Sequence, residues 1–412
     1  MIFNGWKEVS LSEVGKIITG KTPSTKVKKN FGLDYPFITP KDVQATKHIF
    51  QTERYLSQIG ANTVKNCILP PNTVCVSCIG NIGYAGITIK NSVSNQQINS
   101  IIPSNEYDVN FLFYYIKHLY PYFKNLEHQS TTLSILNKTQ FSNIKIIAPP
   151  LIEQKAIAKI LSCLDDKIEI NNHINNALEE MTKAIFKTWF VDFEFPNEGG
   201  QPYESGGGKM VDSELGLMPI GWQAIQLGYV TTNIRDKTKS NNFRVLSAVN
   251  TGNLILSEEY FTKQVFSKNL SKYIIVKKKE FAYNPARVNI GSIGMNEYDF
   301  DGCVSPVYVV FKAEEDYHWF FKLFIKTDNF KSEVLKRASG SVRQTMNYSD
   351  FALIKTVYPP RGVIDKFNQI FETCYLVQKE LIKETEILSN IRNELLQKLM
   401  SGEIIVPVEV VV

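Results

Sequence analysis

At 412 residues the chain is too long for one ordinary core, and its length suggests two or three domains. Hydrophobic residues make up 43% and charged residues 21%, which excludes a disordered polymer and an array of membrane helices. The formal charge of +5 is a mild basic excess that permits nucleic-acid binding without requiring it.

The opening, MIFNGWKEVSL, lacks the apolar run of a signal peptide, and no segment approaches 18 apolar residues, so a cytoplasmic protein is expected. Residues 1–150 read as an α+β domain. Short apolar or alternating runs such as YPFIT and NTVCVSCIGNIGYAGITI are separated by Gly, Asn and Pro, the punctuation of strands and turns. An aromatic-rich helix over 110–122 interrupts them.

The pattern changes at Pro149-Pro150. Residues 151–190 contain no Gly or Pro, and apolar residues recur at three and four: Ile157, Leu161, Leu164, Ile168, then Ile174, Leu178, Met181, Ile185. That spacing predicts a coiled-coil helix over 151–193, about 60 Å long at about 1.5 Å per residue. Asn171, Asn172 and Asn175 put a polar break in its seam, a device that commonly fixes register. Residues 194–220 hold six glycines and read as a surface linker.

From there the chain repeats itself. Gly5-Trp6 returns as Gly221-Trp222, NIGYAG at 81–86 as NIGSIG at 289–294, and FSNIKIIAPP at 141–150 as FALIKTVYPP at 351–360, the last at an offset of 210. Three anchors in one order at nearly one offset indicate two homologous halves. A second α+β domain is therefore expected over 221–360 and a second coiled-coil helix over 361–401. That helix carries Ile364, Phe367, Phe371, Cys374, Leu381, Leu388, Ile391 and Leu395 on its seam, with Gln378 and Thr385 as the polar break. The two helices are expected to pair antiparallel. The apolar tail 402–412 should form a strand or a docking segment.

Catalytic patterns are missing. GKIITGKT at 15–22 matches a phosphate-binding loop in form, but the strand before it is polar, Pro23 follows at once, and the second half has TTNIRDKT instead. Cys75 and Cys78 form a lone CxxC inside an apolar run, which reads as buried thiols and not a metal site. Glu153 and Lys155 imitate part of a nuclease pair, yet they sit in a helix's first turn, where an acid suits the dipole. Five scattered histidines give little scope for acid–base chemistry. A non-enzyme is expected, with no catalytic and no metal residues.

The functional candidates are basic and amide-rich segments. In the first domain they are Lys21, Lys26, Lys28 and Lys29, and Lys41 in ITPKD. In the second they are Arg235 and Lys237 with Lys239 and Arg244, then Lys277, Lys278 and Lys279, Arg287 beside Asn289, and Arg343 with Gln344. Lysines would mainly neutralise phosphates, whereas Arg, Asn and Gln can pair with base edges. Ile157, Leu161, Leu164, Ile168, Phe367, Phe371, Leu381 and Leu388 are the candidate partner-binding positions on the helices.

At these residues the chain resembles the specificity (S) subunits of Type I restriction–modification systems. The resemblance rests on the GW openings, ITGKTPS, ITPKD, the NIG turns, the Pro-Pro before each long helix, KTWFVDFEF at 187–195 and DSELGLMPIGW at 212–222. It implies an α+β fold with two tandem target-recognition domains, each followed by a long helix, the helices pairing as an antiparallel coiled coil. It also implies that each domain reads one half of a split site on double-stranded DNA. The helices would set the spacing and dock two adenine-N6 methyltransferase subunits, with motor–nuclease subunits joining them. S-adenosylmethionine, ATP and Mg would then sit on those partners, and this chain would bind no cofactor. The rival readings are a coiled-coil adaptor without DNA readout and part of a single-chain restriction–methylation enzyme.

Overall fold

The computed structural model describes residues 5–128, 134–337 and 345–407. It is a mixed fold of helices and sheets with two 40-residue helices, Leu151–Phe190 and Arg361–Met400. The chain divides into two compact units. One comprises residues 1–173 and 381–412, the other residues 174–380. Each unit therefore holds one globular domain, the start of the helix that follows it, and the end of the other helix. The sequence-based boundaries had set the helices apart from the domains; apolar packing joins them instead.

In the first unit, Lys7–Ser10 pairs antiparallel with Lys145–Ala148 at the base of the domain. A five-stranded sheet follows the order Gly15–Thr19, Ile98–Pro103, Val74–Ser77, Ala85–Thr88, His48–Ile49. Val74–Ser77 is central and buried on both faces, as its unbroken apolar run requires. A second sheet orders Arg54–Leu56, Phe31–Ile38, Ser92–Ser94 and Ile68–Leu69. The helix Val109–His118 buries six consecutive residues, Phe111 to Ile116, because sheet lies on one flank and the long helix on the other. Ala156, Ile157 and Leu161 from the first long helix share this core with Leu396, Leu399 and Met400 from the second. The tail makes no strand over 402–407; it docks through Val406, which is 6% exposed in the same core.

The second unit is built on the same plan. Gln223–Gln226 pairs with Lys355–Tyr358, and a four-stranded antiparallel sheet orders Thr231–Ile234, Val309–Ala313, Phe281–Tyr283, Ile293–Met295. Phe186, Trp189 and Phe190 stand where Leu396, Leu399 and Met400 stand in the other unit, and they pack on Phe367 at centroid distances of 6.2, 6.1 and 4.9 Å. A capping box precedes each Pro-Pro: Asn137 with Gln140, and Asn347 with Asp350. The repeat is thus conserved down to its helix caps.

Residues 194–220, expected as a linker, are folded. Phe195 stacks on Tyr203 at 4.6 Å and meets Trp222 at 5.1 Å, and Met210–Ser213 forms a hairpin with Gly216–Pro219. The glycines serve turns, with Gly207 and Gly216 at positive φ. Aromatic anchors outweighed the Gly-rich composition.

The helices run antiparallel within each unit. In the first, Asp165 and Asn171 face Arg392 and Glu384; in the second, Asn175 and Phe190 face Gln378 and Phe367. Asn171 is fully buried. It donates to Glu384 at 2.8 Å and to Thr385 at 3.4 Å. No helix among the described residues is long and apolar enough to cross a membrane.

Candidate nucleic-acid interface

The strongest basic feature is the loop after Gly15–Thr19. Gly20 is pressed against the neighbouring segment so closely that a Cβ would lie 2.1 Å from the Asn95 carbonyl oxygen. Thr22 donates its hydroxyl to Gln96 Oε1 at 2.6 Å, and at the far end buried Asn30 donates to the Ser24 carbonyl at 3.0 Å. Pinned at both ends, residues 21–29 bulge outward with Lys21, Lys26, Lys28 and Lys29 all exposed and no acidic residue among them. No helix begins at Pro23; only the short turn Lys28–Asn30 follows. The structure therefore lacks the helix N-terminus that a phosphate-binding loop needs.

Two neighbours of this loop escaped the sequence reading. Arg54 lies over Phe31 at 4.6 Å and Phe37 at 5.7 Å, bringing a guanidinium to the strand that follows the loop. Gln96 protrudes from an otherwise buried stretch, its Oε1 held by Thr22 and its amide nitrogen left to donate. The amide-rich run SNQQIN was a usable signal for Gln96; nothing local marked Arg54. Lys41 is exposed and pairs with Glu53 at 3.6 Å, while Asp42 holds the ITPKD turn by accepting from the amide and hydroxyl of Thr39, each at 2.7 Å.

In the second domain the candidates come from several separate segments. Arg235, Lys237 and Lys239 are exposed around buried Thr238, and Lys239 takes a positive φ of 54°. Arg244 is already engaged. It donates to Glu258 at 2.7 and 3.0 Å and to Glu259 at 3.1 Å, and lies 5.3 Å from the Phe300 ring. Those two carboxylates hold its guanidinium above its ordinary pKa, so Arg244 is already paired with acidic side chains.

The run Lys277–Lys279 is turned toward the second long helix. Lys278 and Lys379 clamp the two oxygens of Asp299, each at 2.6 Å, and hydrogen bonds from both hold that carboxyl well down, at about 2. Lys279 lies 5.9 Å from the Trp319 ring. Lys277 lies in the field of Glu280, and Lys278 with Lys279 joins the domain to elements beside the second long helix. Arg287 is exposed and Asn289 is partly buried in the same short turn. Arg343 and Gln344 lie outside the described residues.

The partner-binding candidates also need correction. Ile157, Leu161, Phe367 and Phe371 are at most 4% exposed and belong to the cores of their units, and Leu164, Ile168, Leu381 and Leu388 are half-buried. The apolar side chains that the helices do expose are others. In the first unit they are Ile152, Ile170, Ile382, Ile387 and Ile391; in the second, Ile174, Met181, Ile370, Leu376 and Val377. Heptad reading selects the seam, and the seam is what the chain consumes itself.

Glu153 accepts from the Trp6 indole at 3.1 Å, which makes it a structural acceptor in the GW opening. Cys75 and Cys78 are buried free thiols, each pushed up to about 12 by desolvation. Among the described residues no group of His, Cys, Asp or Glu is arranged to hold a metal ion.

Residues 4–180 match the family described as Type I restriction modification DNA specificity domain. The specificity subunit of the Type I restriction enzyme MjaIX from Methanocaldococcus jannaschii is 26% identical over 97% of this chain and 93% of its own. That of HindI from Haemophilus influenzae is 38% identical over 40% of this chain and 38% of its own. The crystal structure of a Type I restriction–modification S subunit from M. genitalium covers 96% of both chains with a TM-score of 0.60 at 16% identity, a likeness of fold. Residues 4–180 are thus similar to the Type I restriction modification DNA specificity domain, and the chain is similar over nearly its whole length to a specificity subunit of a Type I restriction enzyme.

Proposed function

We propose that this chain is the sequence-specific DNA-binding subunit of a Type I restriction–modification system. Each domain reads one half of a split target, and the chain itself is not an enzyme. The observation that carries this reading is one plan built twice with unlike loops: a four-lysine loop with Gln96 in the first domain, and Arg235, Lys237, Lys239 and Arg287 in the second. A repeated frame suits two related docking events, and divergent loops suit two different sequences. Lysines clustered without acids suit phosphates. The exposed isoleucines of the long helices, with Met181, Leu376 and Val377, suit two adenine-N6 methyltransferase subunits, with motor–nuclease subunits assembling on that complex. S-adenosylmethionine, ATP and Mg then belong to those partners.

The test is to co-express the chain with the methyltransferase of its own system in a host without DNA methylation and to map N6-methyladenine across the genome. A split motif that vanishes when this chain is omitted is the expected outcome. A soluble complex that leaves no motif would refute the reading and favour an adaptor without DNA readout.

A further inference from the structure

We propose that Asp165 is a positioning residue that fixes the first recognition domain on the long helices and so restricts the separation between half-sites that the chain accepts. The inference rests on the split-target reading above.

Asp165 sits on the first long helix, within the first unit, with its side chain 13% exposed. Its Oδ2 accepts from the Tyr114 hydroxyl of the domain at 2.8 Å. Its Oδ1 accepts from Arg392 Nη1 of the other long helix at 2.5 Å. Three elements thus meet on one sheltered carboxylate. One turn earlier, Ser162 accepts from Lys47 Nζ at 2.7 Å, and that ammonium lies over the Tyr114 ring at 5.1 Å. Burial holds the Lys47 ammonium below its ordinary pKa, partly offset by Asp166 and Asp165. Apolar contacts tolerate sliding, whereas charge-assisted hydrogen bonds from two directions fix an angle. Breaking a sheltered pair is costly, because it leaves a charge uncompensated.

The second unit keeps the place of this joint and replaces its chemistry. The repeat offset of 210 carries Ser162 to Glu372 and Asp165 to Tyr375. Glu372 accepts from the Trp319 indole at 3.0 Å. Tyr375 lies 5.0 Å from Lys322 Nζ, which Trp319 and Phe371 also flank and which pairs with Glu297 at 2.6 Å. Both domains therefore dock on their own helix at the same two positions, one turn apart. What survived the duplication is where the domain is held, not the side chains that hold it, which marks the position as geometric in role. One base-pair step is about 3.4 Å, so a small tilt of the domain changes which spacing fits.

The experiment maps methylation by the wild-type complex and by complexes carrying Asp165→Asn, Arg392→Gln, both together, or Tyr114→Phe, on targets whose gap is one base pair shorter or longer. Melting of each complex is followed in parallel. Asp165→Asn keeps the shape and loses the ion pair; Tyr114→Phe removes one hydroxyl and keeps a readout should the former fail to fold. Half-site bases should stay unchanged while discrimination against the wrong gaps falls by about tenfold for Asp165→Asn, as expected for a charged hydrogen bond. The double variant should lose no more than either single one. Unchanged gap discrimination, or an equal loss of methylation at every gap, would overturn the proposal and leave Asp165 a structural contact. A wild-type complex that methylates no split motif would instead overturn the functional reading, and the inference with it.

Discussion

Replacing Lys21, Lys26, Lys28 and Lys29 together by glutamine tests the lysine loop quantitatively. All four side chains are exposed, and the loop holds no carboxylate to neutralise them. Binding to duplex DNA releases about 0.9 counterions per phosphate neutralised. Four contacts thus contribute a slope of about −3.6 to the logarithm of affinity against the logarithm of salt. Between 50 and 200 mM salt that share alone is worth about 150-fold in affinity. The assay is fluorescence anisotropy of the methyltransferase complex on a labelled duplex across a salt series. The quadruple variant should lose most of that slope, and its affinity should fall on every sequence alike. Replacing Lys277, Lys278 and Lys279 should change the slope by about 1 at most, because Lys278 is spent on Asp299 and Lys279 faces Trp319. An unchanged slope in the first variant, or an equal change in the second, would refute the assignment of the interface.

Other expectations concern the frame. Gly20→Ala places a methyl 2.1 Å from one backbone oxygen and 2.3 Å from another; the first unit should lose about 2 kcal/mol in denaturant titration, as for other overpacked sites. His318 is buried beside Lys279 and Lys322, and desolvation first and those charges second pull it down from 6.5 to about 3. It is neutral in the folded unit. Its contribution is complete above the unfolded value near 6.5 and is lost as pH falls toward 3, because the unfolded chain takes up the proton. Between pH 7 and 4.5 the wild type should lose about 2–3 kcal/mol more than His318→Phe, measured by calorimetry; parallel curves would refute this. Asn171→Leu replaces a buried amide whose Oδ1 has no partner among the described residues. It should raise the melting point of the first unit by the equivalent of about 1 kcal/mol, read by the same calorimetry.

Periodicity marked both long helices to within a few residues, because 40 positions with no Pro, and no Gly but Gly362, leave no competing pattern. The repeat anchors likewise marked the second α+β domain and the Pro-Pro before each long helix. What periodicity missed was who covers the seam. It named Ile157 and Phe367 as partner contacts, and the chain buries both against its own second helix or domain. Composition misled at 194–220, where six glycines outvoted Phe195, Tyr203 and Trp222 on paper but not in packing. Charge found the lysine loop and also selected Arg244 and Lys278, since a sequence shows a cation but not the carboxylate that folding brings to it. Gln96 and Arg54 belong to the loop only through contacts spanning more than twenty residues, and such contacts leave no local trace.

The closure of the first unit by Leu396, Leu399, Met400 and Val406 carries a consequence for biogenesis. Helix residues 151–173 emerge from the ribosome about 220 residues before the segment that covers them, a delay of roughly 10–45 s at ordinary translation speeds. During that interval Ala156, Ile157 and Leu161 lack their mates, and the chain is a nascent species with an open hydrophobic flank. The second unit has no such wait, because Phe186, Trp189 and Phe190 precede its domain and are already present when that domain condenses. Synthesis order therefore makes the later-made half the first to finish.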